Sequence, residues 1–169
     1  LIPFYVRLSV RDDVLWFLCA WWFSVFFFSS RTRPAISGCD WSSVVCSSDL
    51  YAQDRVVFGQ PVAEYQLTQT KLERMAAIIQ GSRQYSYTVA QMMAKGEGTL
   101  EASMVKAYVC KAAEWVTREA LQIHGGFGFA EEYTVSRLFV DARVLSIFEG
   151  ADETLCLKLI AKRLLAEAN

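Results

Sequence analysis

Residues 100–129 read LEASMVKAYVCKAAEWVTREALQIHGGFGF, and this stretch decides the fold. Its first 24 residues, Leu100–Ile123, hold neither glycine nor proline. Met104, Tyr108, Ala112, Trp115, Val116, Ala120 and Ile123 recur along them at helical spacing. An α-helix turns once per ~3.6 residues, so these side chains share one stripe, which is predicted to be buried. His124-Gly125-Gly126-Phe127-Gly128-Phe129 then stops the helix in a bend, because glycine reaches φ > 0 without a Cβ clash.

Working outward, Gly96-Glu97-Gly98 separates this helix from an earlier one, and Thr99 is the expected cap. From Val62 to Lys95 there is one glycine and no proline. Leu72, Met75, Ala76, Ile79, Ser82, Arg83, Ser86, Val89, Ala90 and Met93 fall at helical spacing, apolar at both ends and polar near Ser82–Ser86. Before it, Tyr51–Arg55 reads as the last turn of another helix, with Gly59 as a stop and Pro61 suited to a first turn. After the bend, Tyr133–Asp141 is predicted as a short helix, Ala142–Gly150 as a crossing segment and Asp152–Ala166 as a final helix. In that helix Leu155, Leu159, Ile160 and Leu164 are core by default. Short connections and no hairpin signal predict an all-α, antiparallel four-helix bundle whose first helix is mostly absent.

Composition divides the chain near residue 50. Residues 1–50 lack Lys, Glu, Gln, Asn, His and Met, yet hold four of five Trp and six of eleven Phe. Val14–Phe28 is an apolar run of 15 residues broken by Ser24, short of the ~20 that a membrane-spanning helix needs. Asp12 and Asp13 stand directly before it and no small-x-small cleavage site follows, against a signal peptide. Asp40–Leu50, DWSSVVCSSDL, resembles the translated end of a sequencing adaptor, and Phe26–Arg31 resembles a T-run leading into the opposite one. Residues 1–50 are therefore expected to be non-native sequence outside any domain, and 51–169 the domain proper; a genuine hydrophobic anchor is the alternative.

Residues 51–169 carry 13 Lys+Arg against 14 Asp+Glu, a balance that points away from nucleic acid. Cys110 and Cys156 have no metal or disulfide spacing, so a reducing, cytoplasmic setting is expected. His124 is the only histidine, which excludes a multi-His metal site. It is either a helix-end cap or part of a turn whose bare backbone lets a phosphate or flat ring approach. Arg55 either satisfies helix-end carbonyls or offers its fork to a pyrophosphate. In Ser146-Ile147-Phe148-Glu149-Gly150-Ala151-Asp152-Glu153 a carboxylate, Glu149, follows two large apolar residues. Apolar walls disfavour its ionised form while a helix N-terminus downstream favours it, which is how a general base is tuned. The plainer reading is a surface Glu before a helix whose first-turn acids complement the dipole.

The order of the fragments is more specific than any one of them. Arg55-x-x-Phe-Gly-x-Pro, then Gln66, Gln122-Ile-His-Gly-Gly-Phe-Gly-Phe, Asp141-Ala-Arg-Val and Ile147-Phe-Glu-Gly resembles the acyl-CoA dehydrogenase family, in its C-terminal helical domain. The resemblance covers Tyr51 to Asn169 and implies an enzyme that removes hydrogens from Cα and Cβ of an acyl-CoA thioester. Glu149 then corresponds to the base that takes the α proton as a hydride passes to FAD, with Gly150 at the thioester. It assigns flavin contacts to Arg55 with Val56, Val57 and Phe58, to Tyr65 and Gln66, to Gln122, Ile123, His124, Gly125 and Gly126, and to Ala151, Asp152 and Glu153. Arg55 and the 122–126 turn would act across a subunit interface. It further implies a homodimer or homotetramer that passes electrons to an electron-transfer flavoprotein.

Ala151 stands where the family usually has Thr, and Val140 where an Arg commonly precedes the aspartate. The last helix, Thr154–Lys162, is one residue longer than the usual spacing. The family's N-terminal helical domain and flavin-cradling β-domain have no counterpart here, so the chain is expected to be a fragment without activity of its own. The competing expectations are a non-catalytic helical oligomerisation module and a membrane-anchored helical protein.

Overall fold

The computed structural model describes residues 41–147 and 151–167. The apolar run at 14–28 lies outside these, as do Phe148, Glu149 and Gly150. In chain order the elements are α1 (Trp41–Asp54), β1 (Val56–Val57), β2 (Gln60–Pro61), a 3-10 turn (Val62–Glu64), α2 (Gln66–Ala94), α3 (Thr99–His124), α4 (Gly126–Phe129), α5 (Thr134–Leu145), α6 (Asp152–Leu155), a π-helical segment (Cys156–Ala161) and α7 (Lys162–Glu167).

Helix α3 is the axis of the bundle, and 13 of its 26 residues are buried. Near its start Ala102, Val105 and Val109 meet Val89, with Tyr85 and Met93 against them. Near its end Val116, Ala120 and Ile123 meet Met75 and Ile79 together with Val44, Ala52 and Val135. The start of α2 thus faces the end of α3, so the two run antiparallel, as expected. Each large side chain buried here stabilises the bundle by about 1.5–3 kcal/mol. The buried face is broader than the predicted stripe. Met104 and Trp115 are half-buried and Tyr108 is exposed, while the smaller Ala102, Val105, Val109 and Ala113 are buried. Because neighbours pack on more than one side of α3, burial selects short side chains that let them approach.

Four local expectations change. First, α1 is a full helix, reaching back to Trp41 past the composition boundary at residue 50. Val44, Ser48 and Ala52, spaced four apart, continue one buried stripe. Ser48 fits there because its hydroxyl donates to Val44 O at 2.8 Å. Second, the connection to α2 is a tight hairpin, pairing Val56 with Pro61 and Val57 with Gln60. Phe58 (φ 53°) and Gly59 (φ 84°) form its two-residue turn, both with the positive φ that matches the strand twist. Third, the cap of α3 is Gly98, whose carbonyl accepts from the Ala102 amide at 2.8 Å, and no side chain caps it. Fourth, the last helix is interrupted by the π-helical turn at Cys156–Ala161. A π-helical turn is wider than an α-helical one. Helix α5 also runs to Leu145, further than predicted. Leu164, expected in the core, is about half exposed, at 48%.

Among the described residues no helix is long and apolar enough to cross a membrane.

Candidate functional site

One end of α3 is built from rings and bare backbone. The Tyr51 ring stacks on His124 with centroids 4.3 Å apart, Tyr133 meets both rings edge-on, and Phe127 meets Tyr51 edge-on and Tyr133 at a tilt. Tyr51 Oη donates to the His124 carbonyl at 3.1 Å, tying α1 to the last turn of α3. His124 Nδ1 lies 2.8 Å from Ala120 O. A carbonyl only accepts, so Nδ1 carries the proton. His124 is 3% exposed, so its side chain is packed inside the last turn of α3. The bend that follows needs Gly128, where a Cβ would sit 2.5 Å from Leu121 O.

Around this end of α3 the surface is open. Gly125 and Gly126 are exposed, and a Cβ built on either meets nothing within 4 Å. The Arg55 guanidinium lies 5.2 Å over the Phe127 ring, a cation–π contact that holds it beside the glycine turn. The Gly125 amide donates to Gln122 O at 3.2 Å, but a turn without side chains beside an arginine leaves room for an anionic group such as a pyrophosphate. Phe58 is 97% exposed at the hairpin tip, and Tyr65 Oη donates to Val57 O at 2.7 Å, bracing the hairpin against the start of α2. Gln66 opens α2 on the exposed side.

The other end is built from charge. Lys106 Nζ and Asp152 Oδ1 are 3.0 Å apart, with side chains 8% and 9% exposed. Lys111 Nζ lies 3.6 Å from Asp152 Oδ2, and Glu114 lies between Lys111 at 3.5 Å and Arg143 at 3.7 Å. A buried pair is strongly destabilising to break from one side, by about 3–5 kcal/mol, because a charge is left without compensation. Cys110 lies in the same region. Burial, opposed in part by the Lys106 charge, pushes its thiol up to about 11. It is an inert, structural cysteine.

The structure therefore brings the expected flavin residues together in two groups. Arg55, the hairpin residues Val56–Val57 and Phe58, Tyr65 and the 122–126 turn gather at one end of α3. Within that turn Gln122, Gly125 and Gly126 are exposed, while the Ile123 and His124 side chains face inward. Asp152 packs at the other end with Ala151 half-buried and Glu153 exposed beside it. Lys106 and His124 are 18 residues apart on one helix, about 27 Å at ~1.5 Å per residue. One chain does not close the two groups into one site. Sequence reasoning passed over Lys106 and Tyr51. The signal for the lysine was a cation among the alanines and valines of 102–113.

The chain matches the model of the acyl-CoA dehydrogenase C-terminal domain over residues 33–165. It belongs to the acyl-CoA dehydrogenase family. The match begins upstream of residue 51, as α1 does. The chain is 44% identical over 116 residues to (2S)-methylsuccinyl-CoA dehydrogenase of Cereibacter sphaeroides, covering 68% of this chain and 21% of that protein. It is 36% identical over 104 residues to the caffeyl-CoA reductase–Etf complex subunit CarC of Acetobacterium woodii, covering 61% and 27%. Butyryl-CoA dehydrogenase from Megasphaera elsdenii superposes with a TM-score of 0.71 at 32% identity, covering 78% of this chain and 34% of that one. The chain thus spans about a third or less of the acyl-CoA dehydrogenases it matches.

Proposed function

We propose that this chain is the C-terminal helical part of an FAD-dependent acyl-CoA dehydrogenase catalysing α,β-dehydrogenation of an acyl-CoA thioester, with Glu149 as its base. The family match carries this reading, because it spans Ile147-Phe148-Glu149-Gly150 in order with the Arg55 and glycine-turn motifs. Glu149 would take the proton from Cα. Gly150 leaves the thioester room to approach backbone. FAD, when bound, supplies the hydride acceptor. Arg55 and the exposed Gly125–Gly126 turn would hold its pyrophosphate, with Val56, Val57, Phe58, Tyr65, Gln66, Gln122, Ile123 and His124 around them, while the turn Ala151–Glu153 would lie beside the flavin of its own subunit, the Asp152 carboxylate staying with Lys106.

The ~27 Å between the two groups on α3 favours a homodimer or homotetramer in which each site draws on two chains. An electron-transfer flavoprotein is the proposed acceptor, in keeping with the Etf complex named for the Acetobacterium relative. The free, buried Cys110 fits a reducing, cytoplasmic setting. The segment 1–50 is proposed to contribute no domain of its own; residues from Trp41 onward join this one.

The test is Glu149→Gln in the full-length, flavin-loaded protein. Acyl-CoA turnover should fall by roughly 10²–10⁴ or more with flavin content unchanged. Undiminished turnover removes Glu149 as the base. A protein that associates but takes up no flavin with its upstream domains present is the helical assembly module instead.

A further inference from the structure

Tyr51 and Arg55 stand one helical turn apart at the end of α1, and the Arg55 amide donates to the Tyr51 carbonyl at 2.9 Å. The Arg55 carbonyl accepts from the Val62 amide at 2.8 Å, beyond the hairpin. The arginine backbone is therefore held from both sides, but neither bond reaches the glycine turn beside it. Gly125 and Gly126 are exposed, and Gly125 sits at φ 60°, ψ −135°, one of many conformations open to a glycine. Its amide bond to Gln122 O is long, at 3.2 Å. What holds this turn from outside α3 is Tyr51. Its hydroxyl reaches across 73 positions to donate to the His124 carbonyl at 3.1 Å. That carbonyl belongs to the same planar peptide as the Gly125 N–H, so a bond to one orients the other. The Tyr51 ring meets edge-on, at 6.5 Å, the same Phe127 ring that the Arg55 guanidinium covers. One side chain thus touches both halves of the proposed pyrophosphate site and leaves the turn itself uncovered.

We infer that Tyr51 is a positioning residue for FAD binding: its hydroxyl sets the His124–Gly125 peptide and its ring sets Phe127 and Arg55 against it, so the turn meets the pyrophosphate in one prepared geometry. The role rests on the reading of Arg55 and the 125–126 turn as the pyrophosphate site, but the tether has a signature of its own. A glycine turn that must be ordered on binding loses affinity by the cost of that ordering. A side chain that only stabilised the bundle would have no such effect in a protein that stays folded.

Three variants separate these effects. Tyr51→Phe keeps the stacked ring and removes only the hydroxyl. In the 169-residue chain, hydrogen exchange of the Gly125 and Gly128 amides should then accelerate about tenfold, with the α3 amides near Val109 and Ala113 unchanged. In the full-length enzyme, stripped of flavin and reconstituted, the same variant should bind FAD about tenfold more weakly, the scale of one hydrogen bond. Val89→Ala, in the other apolar cluster, loses packing instead and should bind FAD as wild type does. With Arg55→Ala already in place, Tyr51→Phe should cost less affinity than it does alone, because the arginine and the turn no longer need to be matched. Unchanged exchange at Gly125, an equal loss of FAD affinity in Val89→Ala, or strict additivity with Arg55→Ala overturns the positioning role. Wild-type affinity in Tyr51→Phe, with Arg55→Ala binding more weakly, also overturns it and leaves the pyrophosphate reading standing. Wild-type affinity in Arg55→Ala removes both.

Discussion

The two ends of α3 hold their neighbours by opposite means. At the His124 end α1 is fixed by a stacked ring, a tyrosine hydroxyl and an apolar cluster, and the backbone beyond it is left bare. At the Lys106 end the return of the chain after α5 is fixed by an ion pair shut away from solvent. Ring stacking and apolar contact are forgiving, because they lose energy gradually as groups shift. A buried charge pair is unforgiving, since either partner alone is far worse than neither. The contrast suits the proposed duties. A glycine turn that receives a cofactor portion across an interface needs access, whereas a base that meets Cα of a substrate needs a fixed position.

That contrast can be broken at either end. The largest stability effect is expected from Lys106→Met alone, a loss of about 3–5 kcal/mol by denaturant unfolding, most of it recovered when Asp152→Leu is added. A loss below 1 kcal/mol would mean that the charged end is as forgiving as the aromatic one. Cys110 gives a pH signature at the same end. Its folded thiol is raised to about 11 from 9.0, so the unfolded chain ionises first as pH rises. Stability is unaffected below pH 9.0 and should fall between 9.0 and about 11, by at most roughly 2–3 kcal/mol. Comparing the pH dependence of wild type with Cys110→Ala isolates this part from the lysines; identical curves would show that the thiol is not buried in solution. The smallest effect belongs to Tyr51→Phe, which removes the bond to the His124 carbonyl but keeps the stacked ring. About 0.5–1.5 kcal/mol is expected, read from thermal unfolding.

Much of the bundle was legible because its signals are periodic. The long unbroken stretches before Gly96 and after Gly98 marked α2 and α3, and the glycine-rich bend marked where the chain reverses. The hairpin was not, because its turn is carried by Phe58 at a positive φ, a conformation that only the following glycine advertises. The reach of α1 was hidden by composition. Ser48 looks polar, and only its back-bond to Val44 makes it acceptable in a core. The ordered motifs put Arg55, the 122–126 turn and Asp152 among the proposed functional positions, but local sequence says nothing of which residues meet across 46 positions. The Lys106–Asp152 pair had to be seen in space.

The central claim is that each active site joins the base end of one chain to the glycine-turn end of another. Intersubunit complementation tests it most directly. Arg55→Ala and Glu149→Gln, each inactive alone in the full-length enzyme, are mixed by subunit exchange. In a mixed dimer one site then has an intact Glu149 and an intact partner arginine, so roughly a quarter of wild-type activity should return on random pairing of a two-fold dimer. If no activity returns although mixed dimers form, both groups serve the same subunit's site and the account is wrong.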